Sequence, residues 1–187
     1  PSPVEETLFT LRGEALGTTW LVKYLAVVED ARAGTATNAA LAEVDERMST
    51  WRSDSEVSRI RAGGAVAVSE ETYFVVEAAR SMAALTEGAF DPTVQPLVEL
   101  WGIHGERRTT LPTDAELADA RSEVGYERIL LSRSDGQAYV DAGGTALDLS
   151  AIAKGHAVDR VSNAVSALGH ADVLVEVGGE VRAHGHA

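Results

Sequence analysis

Apolar residues recur along this chain with two different periods, and the switches between them outline its elements. Residues 7–28 read as two extended segments joined near residues 13–17. Within them Thr18-Thr19-Trp20-Leu21-Val22-Lys23-Tyr24 is β-branched and aromatic, the composition a pleated strand favours. Over residues 37–48 the period lengthens: Leu41, Val44 and Met48 fall three and four apart, which predicts an amphipathic helix. Residues 48–59 lose that period and turn polar, predicting a loop with chemistry on it. A second helix is predicted from Ser69, an N-cap with Glu70 and Glu71 in the first turn, to about residue 86, closed by Gly88. Asp91-Pro92 predicts a further short helix, with Asp91 at the cap and Pro92 at the first helical position. Thr113-Asp114-Ala115-Glu116 reads as a capping box that opens a helix stopped by Gly125. Residues 128–132 and 138–141 predict a hairpin around Ser134-Asp135-Gly136. The clearest helix is predicted over residues 150–168, with Val158, Val161, Val165 and Leu168 as its stripe and Gly169 as its end. Residues 172–183 read as a strand interrupted by Gly178-Gly179. Strands and helices intermix without regular βαβ winding, so the fold class is α+β, a mixed or antiparallel sheet with packed helices.

Length and composition narrow the picture. A chain of 187 residues is long enough for one core, and a single domain over residues 1–187 is expected, with at most a small satellite lobe. With 45% hydrophobic and 24% charged residues, the composition is that of a soluble globular chain. Apolar runs such as Val173-Leu174-Val175 are far too short to cross a bilayer. Pro1-Ser2-Pro3-Val4-Glu5-Glu6 has neither a basic n-region nor an apolar h-region, so no signal peptide or anchor is read there. The absence of an initiating Met points to a processed product or a start after a removed segment. A net charge of −13 speaks against non-specific nucleic-acid binding, which needs Lys and Arg to displace counterions. The same charge means that an anionic ligand requires locally placed donors or a metal ion. Cysteine is absent, which removes disulfides, thiolate metal sites and thiol catalysis.

Candidate chemistry gathers in a few segments. In Asp148-Leu149-Ser150-Ala151-Ile152-Ala153-Lys154-Gly155 a polar turn leads straight into an apolar helix, where free N–H groups meet the positive end of the helix dipole. Lys154 lies one turn further in, within reach of an anion; a capped helix with a surface lysine is the plainer alternative. Ser150 and Lys154 stand four apart, one residue too far for a Ser-x-x-Lys hydrolase pair. Gly88-Ala89-Phe90-Asp91-Pro92-Thr93 is a turn that exposes donors beside a carboxylate, or simply another cap. Val177-Gly178-Gly179-Glu180 permits close backbone approach but lacks a dinucleotide fingerprint, and Gly-Gly within a strand is commonly a bulge. Trp51 stands in a polar loop, where it serves either as a stacking surface for a flavin or adenine ring or as a half-buried structural residue. The five histidines show no metal-ligand spacing, and His184-Gly185-His186 reads as a frayed terminus, with adventitious metal binding as the alternative.

Taken together, these segments resemble the ApbE-type family, the FAD:protein FMN transferases. Four blocks match in order: Leu16-Gly17-Thr18-Thr19-Trp20; Met48-Ser49-Thr50-Trp51 with Asp54-Ser55-Glu56; Gly88-Ala89-Phe90-Asp91-Pro92-Thr93; and the Asp148-to-Gly155 segment followed by Ala157-Val158-Asp159. A fifth, Val175-Glu176-Val177-Gly178-Gly179-Glu180-Val181, closes the match. The resemblance implies a T-fold-like architecture and an FAD pocket among Leu16, Trp51, Ala89, Phe90, Asp91, Asp148 and Lys154. Leu16 stands where the family usually has Met. The resemblance also implies Mg²⁺, with the backbone oxygen of Ala151 as one ligand, in keeping with a hard cation's preference for oxygen.

The activity so implied is Mg²⁺-dependent transfer of FMN from FAD to a Thr or Ser of an acceptor protein, with release of AMP. The family pattern continues beyond the Gly-Gly-Glu strand into a His-x-hydrophobic-Asp-Pro segment that brings the expected base, and an Asp and Thr that complete the metal site. This sequence stops at Ala187, so residues 1–187 correspond to the N-terminal two-thirds of the family domain and no catalytic residue is assigned. Rival expectations are an FAD pyrophosphatase, a non-catalytic FAD-binding module, or a half-site completed by a second chain or a homo-oligomer. The family is often exported or membrane-anchored in bacteria; a native start at Pro1 would make this chain cytoplasmic.

Overall fold

The computed structural model describes residues 5–103 and 108–186; the start Pro1-Ser2-Pro3-Val4, His104 and the end at Ala187 lie outside the described residues. The contacts divide the chain into two compact units, residues 1–46 with 151–187, and residues 47–150.

Alternation builds the first unit. β1 (Thr7–Ala15) and β2 (Thr18–Ala26) form an antiparallel hairpin, with Leu16 and Gly17 as its two-residue turn. β6 (Val173–Val177) pairs with β2, and β7 (Glu180–His184) with β6, giving an antiparallel sheet in the order β1-β2-β6-β7. Gly13, expected near a turn, sits inside β1 opposite Trp20, where a Cβ would lie 2.5 Å from the Trp20 ring. Glycine there lets the indole lie flat across the neighbouring strand.

Trp20, Val22, Tyr24, Val173, Val175 and Val177 bury one face of the sheet. That face is the one toward the helix α6 (Ser150–Ser166): Arg182, in register with Val175, pairs with Asp159, and His184 lies between Ser162 and Ser166. His184 is therefore a fixed part of β7, a correction to the frayed end expected from sequence. The helix α1 (Ala31–Met48) begins six residues before the predicted start at Thr37. Thr37 is buried inside it and donates its hydroxyl to the Ala33 carbonyl, 2.8 Å away. Asp30, gripped by Arg32, also meets His170, whose ring lies 4.5 Å from that of Tyr24. Arg32 and His170 hold the Asp30 carboxyl well below the usual carboxylate range.

In the second unit a short antiparallel sheet, β3-β5-β4 (Val66–Val68, Gln137–Asp141, Leu130–Ser134), carries the helix α3 (Glu70–Leu85). Ser69 caps α3 as expected, and Arg133 of β4 lies 3.9 Å above the Tyr73 ring while pairing with Glu70. The Thr113 capping box opens α5 (Asp114–Glu123), and Asp135-Gly136 forms the predicted β4–β5 turn. α2 (Glu56–Ile60) and β3 escape sequence reading because five and three residues are too few to display a period. The helix expected at Asp91-Pro92 instead starts later, as α4 (Gln95–Leu100) with Pro96 in its first turn. The "interrupted strand" of residues 172–183 is a hairpin: Val177 pairs with Glu180 around Gly178-Gly179. All described strand pairs are antiparallel, in keeping with the expected α+β class.

Candidate functional site

Helix α3 ends in a way that presents the first candidate block. Gly88 donates to the Ala83 carbonyl at 2.9 Å and Glu87 to that of Ala84, a Schellman closure. The left-handed position preceding Gly88 is filled by Glu87, at φ +53°. Ala89 and Phe90 then donate their N–H groups to the carbonyl and hydroxyl of Thr86, which folds residues 86–90 into a tight turn. Ala89 is exposed and Phe90 half-buried.

Asp91 follows, and its carboxylate is engaged on both sides. Oδ1 accepts the N–H and hydroxyl of Thr93 at 2.8 and 2.6 Å; Oδ2 accepts the N–H of Tyr126 at 3.1 Å. The Thr93 hydroxyl, fully buried, in turn accepts the N–H of Gly125 at 2.7 Å. Asp91 thus ties its own turn to the chain after α5. Burial first, then the charges of Glu127 and Asp91, push the Tyr126 phenol up.

The Asp148 turn is held against this knot. The N–H of Asp148 donates to the carbonyl of Pro92 at 2.8 Å, joining the two most informative segments of the sequence. Asp148 Oδ1 accepts the N–H of Ser150 at 2.8 Å, so the chain's own carboxylate fills the start of α6. Leu149 anchors the turn in the core, fully buried, while Ser150 and Ala151 stay exposed. A phosphate held at this helix end would meet the carboxylate.

Trp51 belongs to the same unit and is 72% exposed, with the loop beneath it fixed by polar contacts. Ser55, fully buried, caps α2 and donates to the Ser49 carbonyl at 2.7 Å. Glu56 accepts the N–H and hydroxyl of Ser69, tying the loop to the start of α3. Trp51 is thus an exposed indole on a loop tied down at Ser49 and at Ser69.

The first unit holds the remaining candidates. Leu16, at φ +53°, is a non-glycine residue in the left-handed region, a conformation costing roughly 1–2 kcal/mol. Strained residues of this kind concentrate at functional sites. Half-buried Lys154 runs its stem beside Gly178 of the β6–β7 turn. A cavity of about 440 Å³ in this unit, over Leu8, Lys23, Leu25 and Leu174, contains none of the candidate residues.

The structure therefore brings Asp91-Pro92 and Asp148 into direct contact and sets Ala89 and Phe90 next to them in chain. Sequence reading missed Thr93, Gly125 and Tyr126; an Asp followed two residues later by Thr was the available signal, an Asx-turn pattern. Among the described residues no group of three or more His, Cys, Asp or Glu side chains could hold a metal ion. The backbone oxygen of Ala151 is the donor type a hard cation prefers, and a Mg²⁺ held there would complete its six ligands with waters, substrate phosphates or further residues. No described helix is long and apolar enough to cross a membrane.

The profile of the ApbE family matches residues 16–187. The chain is 39% identical over 187 residues to an FAD:protein FMN transferase of Vibrio cholerae, covering 94% of the chain and 54% of that relative. With one from Haemophilus influenzae the identity is 36%, over 97% of the chain and 56% of the relative. Among solved structures it resembles the flavin transferase ApbE from Vibrio cholerae, at a TM-score of 0.88 and 37% identity, covering 98% of this chain and 61% of that one. The apo flavinyl transferase ApbE of Pseudomonas stutzeri matches at a TM-score of 0.86 and 32% identity, over 97% and 62% of the two chains. The chain spans about half the length of the curated relatives it matches. On a family match over nearly the whole sequence and a shared backbone at well over 30% identity, the chain belongs to the ApbE family.

Proposed function

We propose that this chain supplies FAD-binding machinery of an FAD:protein FMN transferase, the activity for which its Vibrio and Haemophilus relatives are named. The observation that carries the reading is the docking of the Asp148 turn on Pro92, which joins two separate candidate blocks at one place. In this reading Trp51 stacks on the isoalloxazine ring, while Ala89, Phe90 and the Asp148 turn line its surroundings. Asp91, also among the expected FAD-pocket residues, holds that turn in place. In the first unit, Leu16 offers an apolar surface and Lys154 a positive charge for an anionic ligand that the net charge of −13 otherwise repels.

The reaction is attack of an acceptor Thr or Ser hydroxyl oxygen on the FMN phosphorus. A P–O bond to that oxygen forms, the pyrophosphate P–O bond breaks, and AMP departs with the electron pair. The hydroxyl proton passes to a base, for which the described residues supply no assigned group. Positioning and charge neutralisation are the protein's main contributions in such a transfer. Mg²⁺ belongs to the proposed activity: Ala151 O would be one donor from this chain, and the ion would neutralise charge on the pyrophosphate.

The test is incubation of the full native product carrying this chain with FAD, Mg²⁺ and an acceptor protein bearing the target hydroxyl. A mass gain of one FMN on the acceptor, with stoichiometric AMP, is expected. Free FMN and AMP with an unmodified acceptor would instead indicate a pyrophosphatase, and tight FAD binding without turnover a binding module.

A further inference from the structure

The ring of Tyr126 takes no part in the proposed transfer, yet three observations set it against the turn that carries Ala89 and Phe90. The chain after α5 forms a single 3₁₀ turn, Tyr126–Arg128, that packs against α3. From there the Tyr126 N–H reaches Asp91 Oδ2 at 3.1 Å. A Cβ on Gly88 would meet Tyr126 Cε1 at 3.8 Å, an ordinary van der Waals contact and its nearest neighbour beyond the adjoining residues. The phenol, pushed up by burial first and then by Glu127, also feels Asp91 and Glu87, the carboxylates at the two ends of that turn.

The turn has little else to hold it. Glu87, Gly88 and Ala89 are exposed, and Glu87 and Gly88 stand in succession at φ +53° and +81°. The N–H groups of Ala89 and Phe90 go to the carbonyl and hydroxyl of one residue, Thr86, at 3.0 and 3.1 Å. Exposed backbone bonds of this kind open readily. A flat, half-buried ring beside Gly88 restricts that opening, and a segment already held in place loses less freedom when a ligand binds.

We infer that Tyr126 is a positioning residue, whose ring walls the Gly88 turn and keeps Ala89 and Phe90 in place for FAD. The inference rests on the proposed place of those two residues around FAD, and it lies wholly within the unit of residues 47–150. The link to Asp91 is made by the backbone of Tyr126, so exchanging the side chain removes the ring and leaves that link.

Amide hydrogen exchange of the full native product without FAD, together with FAD titration by flavin fluorescence, tests this. The variants are Tyr126→Ala, Tyr126→Phe and Val140→Ala; Val140 is fully buried in β5, so its variant controls for general loss of stability. In Tyr126→Ala, exchange at Ala89 and Phe90 should quicken about tenfold and FAD should bind about tenfold more weakly. Tyr126→Phe keeps the ring and should stay within about twofold of the parent in both measurements, as should the FAD affinity of folded Val140→Ala. Unchanged exchange in Tyr126→Ala would overturn the positioning role, whether or not FAD binds. Quicker exchange with unchanged FAD affinity would overturn its service to FAD. Equal effects in Tyr126→Phe would assign them to the hydroxyl, and equal effects in Val140→Ala to bulk stability; either overturns the inference. A parent that binds no FAD would defeat the proposed function itself, a result the exchange measurement does not depend on. Tyr126→Leu also removes the flat ring while keeping apolar bulk, and takes the place of the alanine variant if that does not fold.

Discussion

At the scale of single residues, Asp91, Thr93 and Leu16 show how conformation and chemistry are shared out. Both oxygens of Asp91 are committed to donors of its own chain, and the hydroxyl of Thr93 passes the connection on to Gly125. Thr93→Val keeps the shape but leaves the Gly125 N–H without its acceptor, which costs about 1–3 kcal/mol for a buried donor. Urea unfolding should show that loss in the midpoint with an unchanged slope; a change under about 0.5 kcal/mol would mean that the knot is unimportant. Leu16 makes the opposite case. Replacing it by Gly releases about 1–2 kcal/mol of left-handed strain, offsetting the roughly 0.5–1 kcal/mol that glycine loses through unfolded-state freedom. Leu16→Gly should therefore melt at or above the parent temperature while binding FAD less tightly. Asp91 was legible as a special residue because Asp-Pro after Gly is a turn signal. Its engagement was not, since Tyr126 lies 35 positions away and local pattern carries no long-range pairing.

Among the elements, capping chemistry was the most readable layer. Ser69 and Thr113 open α3 and α5 as expected, because a cap is a local bond between residues three apart. Pro92 was misread as a helix start because Pro96, four residues on, carries the same signal and occupies the first turn of α4. Gly178-Gly179 looked like a bulge because only the pairing of Val177 with Glu180 distinguishes a turn from an interruption. The α5 cap also has a pH signature. The Thr113 N–H, then Arg108, lower the Glu116 carboxyl from 4.5 to about 2. A lowered folded pKa adds stability that is complete above the unfolded value and is lost as pH falls through the window from 4.5 toward 2. The stability gap between the parent and Glu116→Gln should therefore narrow on acidification through that window, read as the difference in urea midpoints at each pH. A gap constant from neutral pH to pH 2 would show that the ionised carboxylate adds nothing to the cap.

For the molecule as a whole, the family and the α+β class were legible because five short blocks fall in register along one chain. The division into two units was not, because its boundaries fall inside helical stretches, where no change of composition marks them. Charge sets the whole-molecule demand: at −13, a dinucleotide has to be won by stacking and by a few placed cations. The measurement that bears most directly on this is the flavin absorbance difference spectrum of FAD with the full native product, compared with Trp51→Ala. Trp51 is 72% exposed, so the substitution should move the melting free energy by no more than about 0.5 kcal/mol. The parent should give a saturable shift of the flavin bands, and Trp51→Ala, folded to the same stability, should lose that shift and bind FAD about tenfold more weakly. An unchanged spectrum and affinity in Trp51→Ala would contradict the placement of FAD beside the Asp148 turn.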